Sequence, residues 1–144
     1  MKALYESWQF WALLSAVFAA LTAVFAKLGV AQIHPDYATL IRTLVVVCVL
    51  ALIVAAKDRY VSPTEIEPAA WMFLVLSGLG TGASWLCYFR ALQLGEVARV
   101  QPVDKLSVVL VAVFGAVFLG EKLSSLNWFG VALIGAGAVL VAYK

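Results

Sequence analysis

Charge is what this sequence has least of: Asp, Glu, Lys and Arg make up 12% of its 144 residues, about half the share usual in a soluble domain. The net charge of +2 is too small to imply nucleic acid or an acidic protein as a partner, and no run of like charges occurs. His34 is the only histidine and sits in a Gly/Gln/His/Pro/Asp loop, which excludes a histidine triad or a multi-histidine metal site within one chain. The two cysteines, Cys48 and Cys87, stand inside apolar runs with no CxxC, no neighbouring histidine and no extracellular disulfide spacing. They read as small buried apolar residues. No catalytic constellation, metal set or cofactor site emerges from the remaining polar residues.

What is present is apolar. By the AVILMFWYC count the chain is 65% hydrophobic. A soluble domain of this length buries only ~70% of the surface its unfolded chain exposes, too little to hide this much apolar side chain from water. A lipid bilayer must take the rest. Breaks in the apolar pattern leave five windows, Trp8–Leu28, Tyr37–Ala56, Trp71–Leu94, Val97–Leu119 and Leu126–Tyr143, each near the ~20 residues a helix needs to cross the hydrocarbon core. The separators are turn-like: Gly29 to Asp36, Lys57 to Ala70 with Pro63 and Pro68, Gly95-Glu96, and Gly120 to Ser125. Only the second is a long loop, so spans three and four, and spans four and five, are expected to be tight antiparallel hairpins. A closed β-barrel is excluded by the absence of period-two alternation and by the small number of windows. The first window follows Lys2 as a signal peptide would, but four further spans follow, so it reads as a retained transmembrane helix.

The expected fold is therefore all-α, an integral membrane bundle of five transmembrane helices forming one domain over residues 1–144. Trp8, Trp11, Trp71, Trp128 and Tyr143 lie near window ends, where interfacial aromatics belong. Gly78 and Gly82 form a GxxxG step, and Gly130 and Gly137 lie seven apart beside Ala132, Gly135 and Ala136, which suggests close helix contact in the third and fifth spans.

An odd number of spans puts the termini on opposite sides. Lys2, Lys57, Arg59 and Lys122 then share one side, and Lys27, Arg99 and Lys144 the other. So even a count permits insertion both ways up, and hence an antiparallel homodimer; it is equally compatible with one orientation fixed by the Lys57/Arg59 loop.

Four ionisable residues fall inside the windows: Arg42, Arg90, Asp104 and Lys105. Such groups are costly at depth and face a cavity or a partner. All four fall on the same side of the membrane. Arg42 and Arg90 lie less than two turns from a window end, where snorkelling with a structural ion pair competes with ligand contact. Asp104 and Lys105 are deeper, ~10–12 Å into their window. Arg90 reaching Asp104 across the hairpin would leave surplus positive charge for an anionic or zwitterionic ligand. Successive helical residues point ~100° apart, so Asp104 and Lys105 would serve different surfaces. Pro102 removes a backbone hydrogen bond near the start of the fourth helix, which either shapes the helix entry or opens a binding site, and Gln101 supplies an amide at the same depth. Trp85 and Tyr88, one turn from Arg90, either line the same cavity or simply pack.

Specific residues resemble the EamA repeat of the drug/metabolite transporter superfamily. The stretch Tyr88-Phe89-Arg90-Ala91-Leu92-Gln93-Leu94-Gly95-Glu96-Val97-Ala98 continues through Pro102 and Leu106-Ser107. Phe118-Leu119-Gly120-Glu121-Lys122-Leu123-Ser124, Trp128-Phe129-Gly130 and Leu133-Ile134-Gly135-Ala136-Gly137 follow, and Asp36 to Arg42-Thr43 looks like the family's second-helix entry. Many members look like two such repeats fused in inverted orientation and transporting metabolites by alternating access. The resemblance implies that this chain is one short, unfused repeat of the bacterial and archaeal type, pairing as an antiparallel homodimer around a central cavity. Asp104-Lys105 departs from the apolar sequence associated with that point in longer members, so their substrates are not carried over.

These readings combine into a secondary transporter or exporter of a small polar metabolite in the cell inner (plasma) membrane, with the cavity lined by helices one to four and helix five serving packing or dimerisation. Asp104 is the expected proton-linked or ion-paired group, and Arg42, Arg90 and Lys105 the ligand contacts. Glu6 is a weaker candidate for proton coupling. A multidrug exporter of lipophilic cations needs an unpaired membrane carboxylate, whereas here cationic groups outnumber acidic ones. A non-transporting accessory subunit of a membrane complex is the other alternative. A membrane enzyme has no nucleophile, metal set or paired carboxylates to work with.

Overall fold

A computed structural model describes residues 7–143, and every regular element among them is helical. Glu6, Lys2 and Lys144 lie outside the described residues. The helices are α1 (Trp8–Val30), α2 (Pro35–Ala56), α3 (Pro68–Leu94), α4 (Val97–Asp104), α5 (Leu106–Phe118) and α6 (Ser125–Ala142), with a single 3₁₀ turn at Pro63–Glu65. Since α4 and α5 form one continuous apolar span, five helical segments are long and apolar enough to cross a membrane.

Four helices extend beyond the expected windows, α1 at its end and α2, α3 and α6 at their starts, and local chemistry explains the shifted starts. Pro35 and Pro68 open α2 and α3 rather than closing the preceding loops. Proline suits the first helical position because the N–H it lacks has no intrahelical acceptor there anyway. His34 caps α2, its Nδ1 accepting from the Asp36 amide at 3.4 Å. α1 runs on to Val30, so the α1–α2 connection is only residues 31–34. Ser7 and Ser124 cap α1 and α6, each Oγ accepting from the amide three residues on, at 3.3 and 3.2 Å.

The C-termini of α2 and α5 end in left-handed residues. After α2, Asp58 adopts φ 48°, its amide donates to Ala55 O at 3.3 Å, and the Arg59 amide donates to Val54 O at 3.1 Å. That is a Schellman ending, with Asp where Gly is usual. After α5, Gly120 takes φ 68°, and the Leu119 and Glu121 amides both donate to Gly115 O, at 3.1 and 3.0 Å. The Glu121 carboxylate folds back over Gly115, where a Cβ would stand 2.6 Å from Oε2. The turn from Gly120 to the Ser124 cap thus reverses the chain in five residues.

The chain forms two units, residues 26–93 and the remainder. In the first, the buried residues Ala26, Val30, Pro35, Ala38, Thr39, Phe89 and Leu92 come from the end of α1, the start of α2 and the end of α3. The Lys27 ammonium donates to Leu92 O in the last turn of α3, where helix carbonyls lack intrahelical partners. Gln93 Nε2 donates to Ile33 O at 3.3 Å. The opposite stretches of α2 and α3 are exposed, Leu52 at 71% and Phe73 at 64%. In the second unit, α6 packs on α4 and α5 with Ala138 buried and Gly135 facing Val109 at a Cβ distance of 3.4 Å.

Between 6% and 17% of each span's most apolar window is buried by the chain itself. Lipid or another protein must therefore cover the rest. Two expectations fail for that reason. Cys48 and Cys87 are exposed rather than buried. A Cβ on Gly78, Gly80, Gly82, Gly130 or Gly137 would meet nothing within 4 Å, so of the glycines expected to pack, Gly135 alone approaches another helix of its own chain.

The two helix endings give opposite expectations. Asp58→Gly should stabilise the folded state by about 0.5–1 kcal/mol, and Gly120→Ala should destabilise it by about 1 kcal/mol, because only glycine adopts positive φ without a Cβ penalty. Reversible denaturation in mixed micelles measures both; equal effects of either sign would contradict these backbone assignments.

Candidate functional site

The expected site residues divide between the two units. Arg42, Trp85, Tyr88 and Arg90 fall in the first; Gln101, Pro102, Asp104 and Lys105 fall in the second.

In the first unit the principal feature is a cation held on aromatic rings. Because α2 begins at Pro35, Arg42 lies ~10 Å along the helix, about two turns in and deeper than the window count implies. Its guanidinium carbon sits 3.9 Å from the centroid of the Trp85 ring and 5.7 Å from that of Phe89. Trp85 and Phe89 are four apart on α3, so both rings come from one helix face. The half-buried Arg42 takes no carboxylate partner and makes no hydrogen bond among the described residues. Its aromatic contacts support the cation electrostatically and leave its five N–H donors without an acceptor among the described residues. Thr39 and Thr43, on the preceding and same turns, donate their hydroxyls to Pro35 O and Thr39 O at 2.9 and 2.8 Å, so they serve their own helix. Tyr88 meets Phe89 edge-on at 6.2 Å.

Arg90 differs. It is exposed near the end of α3, and its Nη1 donates to Gln93 Oε1 at 2.9 Å while Gln93 reaches Ile33. The amide bridges a cation to the α1–α2 loop. Sequence reasoning assigns no role to Phe89, Gln93 or Lys27, although the spacings Trp85/Phe89 and Arg90/Gln93 mark pairs on one helical face.

In the second unit the fourth span is interrupted. α4 contains Pro102 and ends at Asp104, and α5 starts at Leu106, with Lys105 at the turn between them. The Lys105 amide donates to Gln101 O at 3.2 Å, and the Val108 amide to Lys105 O at 3.0 Å in a tighter three-residue step. Lys105 Nζ and Asp104 Oδ2 pair at 3.2 Å with both side chains partly exposed. These neighbours neutralise each other, whereas helical spacing alone places them on different surfaces. Arg90, expected to pair with Asp104, belongs to the other unit, where its Nη1 donates to Gln93 Oε1. Gln101 and Pro102 are half-buried just before the interruption.

Multiple apolar helical spans carrying ionisable groups at depth, one of them broken at such a group, define a multi-pass membrane protein of the kind that handles polar solutes. The model of the EamA-like transporter family matches residues 6–143, and the chain belongs to that family. It is a transporter-family protein, not an enzyme. Over 137 residues it is 68% identical to an uncharacterized transporter in the cobO 3′ region of a Sinorhizobium species, covering 95% of this chain and 97% of that one. An uncharacterized transporter of Vibrio cholerae is 29% identical over 98 residues, which are 65% of this chain and 32% of that longer protein. No solved structure matches.

If the guanidinium plane is what Trp85 recognises, Arg42→Lys should cost about 0.5–2 kcal/mol of stability, since an ammonium cannot stack. Arg90→Lys, exposed and singly bonded, should cost less than about 0.5 kcal/mol. Denaturation in detergent compares them, and equal losses would mean that Arg42 acts only as a point charge.

Proposed function

We propose that this protein is a secondary transporter or exporter of a small anionic or zwitterionic metabolite in the cell inner membrane, working by alternating access as an antiparallel homodimer. The observation that carries the reading is Arg42: a guanidinium about two turns inside its span, seated on Trp85 and Phe89, with no hydrogen-bond acceptor among the described residues. A cation at that depth is held for a purpose, and a ligand carboxylate or phosphate is the acceptor that matches its fork. Arg90, Tyr88 and Trp85 complete the first set of ligand contacts; Gln101, Asp104 and Lys105 form the second. Asp104 is the proton-linked or ion-paired group. Pro102 and the tightened turn at Lys105 place a local irregularity in the fourth span beside these groups, a point at which that span could bend.

The homodimer draws support from three observations. Little of each span is buried by its own chain. A Cβ on Gly78 or Gly82 of α3, or on Gly130 or Gly137 of α6, would meet nothing in its own chain. The match to 32% of a longer transporter is what a single repeat would show against a protein containing more than one. A multidrug exporter of lipophilic cations fits less well, because the one acid among the charged site residues is already paired with Lys105.

Untargeted metabolite profiling tests the reading and needs no chosen substrate. Cells producing the wild-type chain should redistribute at least one small anionic or zwitterionic metabolite between cytoplasm and medium. Arg42→Ala should reduce that effect tenfold or more at equal membrane abundance, with losses also for Arg90→Ala and Asp104→Ala. Unchanged redistribution in all three folded variants would remove the site assignment. A response confined to lipophilic cations would favour the multidrug alternative, and stable co-purification with another membrane complex and no redistribution would favour an accessory subunit.

A further inference from the structure

We infer that Arg42 is one half of a two-arginine cradle completed by the same residue of an inverted second copy, and that the ligand it takes carries two anionic groups, as a dicarboxylate does. The inference rests on the antiparallel dimer proposed above and adds the ligand class.

The depth of Arg42 leads to it. Helix α2 spans Pro35–Ala56, so at ~1.5 Å per residue it is ~32 Å long, close to the ~30 Å hydrocarbon core, and its midpoint falls near the bilayer midplane. Arg42 lies ~5 Å from that midpoint on the side of the helix start. The aromatic support gives the same depth independently: Trp85 lies ~6 Å beyond the midpoint of α3 (Pro68–Leu94), on the side of its C-terminus. A two-fold axis in the membrane plane carries Arg42 to the same distance across the midplane, so the two Cα atoms stand ~10 Å apart along the normal. That is within the combined reach of two arginine side chains and a short ligand. Most charges near a helix end would be carried to opposite membrane faces by the same operation; Arg90, four residues from the end of α3, is one of them.

The chemistry then selects the ligand. The guanidinium carbon sits 3.9 Å from the Trp85 ring centroid and 5.7 Å from that of Phe89, no described residue accepts from its N–H groups, and a charge at this depth faces a polar cavity rather than lipid. Two such cations around one cavity of low dielectric repel each other. A single carboxylate neutralises one of them, whereas a molecule with two anionic groups neutralises both and places a bidentate pair at each end. Neither neighbouring threonine hydroxyl is turned toward this task, since each donates to its own helix.

The test uses the intact chain co-produced with two different affinity tags, so that wild-type, mixed and doubly substituted dimers of Arg42→Ala are each isolated by tandem purification. Arg42→Lys, which keeps the charge and loses the fork, is carried in parallel, and size-exclusion profiles establish that every variant is folded. Thermal shift and equilibrium binding are measured with malonate, succinate, glutarate and adipate, against acetate and butyrate. The expected result is that at least one dicarboxylate stabilises the wild type with one molecule per two chains, and that the mixed dimer loses affinity tenfold or more. Monocarboxylates acting equally well, no dicarboxylate binding, or a mixed dimer keeping half its sites at unchanged affinity would overturn the shared cradle. Failure of the two tagged forms to co-purify would instead overturn the dimer beneath it.

Discussion

The structure depends on its solvent. Within a bilayer no water satisfies backbone N–H and C=O groups, so each span must satisfy its own, and the chain accordingly has only helices among its described regular elements. The same constraint governs the ends, where carbonyls and amides left over by the helix are taken up by Ser7, His34, Ser124, the left-handed Asp58 and Gly120, and the Lys27 ammonium. It also governs the polar side chains inside the spans. Thr39, Thr43 and Thr81 donate back to carbonyls of their own helices, and Lys105 and Asp104 pair across adjacent positions. Against that pattern of local satisfaction Arg42 differs in kind, because its contacts are with the faces of aromatic rings and its hydrogen-bonding edge is not consumed.

A cation on an aromatic platform differs from one held in an ion pair. An arginine locked in a buried salt bridge would have to break a strong pair before accepting a ligand anion. Stacking on Trp85 positions the guanidinium, limits its rotamers and keeps its charge available. The second unit contributes a different device, a span interrupted three residues after a proline with an ion pair at the break. The Lys105 amide keeps its bond to Gln101 O and the Val108 amide closes a three-residue step, so the backbone groups at the break stay satisfied within the span.

Much of this is legible in the sequence. The five spans, the all-helical class, the ionisable residues at depth and the family all follow from hydropathy, spacing and the Leu119-Gly120-Glu121-Lys122-Leu123-Ser124 turn, whose glycine and serine prove to be a helix stop and a helix start. Hydropathy misplaces the helix starts by two or three residues because Pro35 and Pro68 punctuate a sequence as breakers but serve here as first helical residues. That small error puts Arg42 ~3 Å nearer the helix start than it lies. Partner choice is harder to read. Periodicity says which residues share a helix face, but not which ring a side chain on another helix will meet, so it brings Trp85 near a cavity without assigning it to Arg42, and passes over Phe89. The glycines read as sites of close helix contact without saying with which helix; Gly135 meets Val109 of its own chain, whereas Gly78, Gly82, Gly130 and Gly137 are left for lipid or a second molecule.

One five-span unit working against an inverted copy of itself is the central claim, and membrane orientation tests it most directly. Single cysteines introduced at positions 2 and 144 in a Cys48→Ala/Cys87→Ala background would be labelled from outside intact cells with a membrane-impermeant thiol reagent. Dual insertion predicts that both positions label in comparable fractions. Labelling of only one terminus, with the other fully protected until the membrane is permeabilised, would contradict the inverted pair.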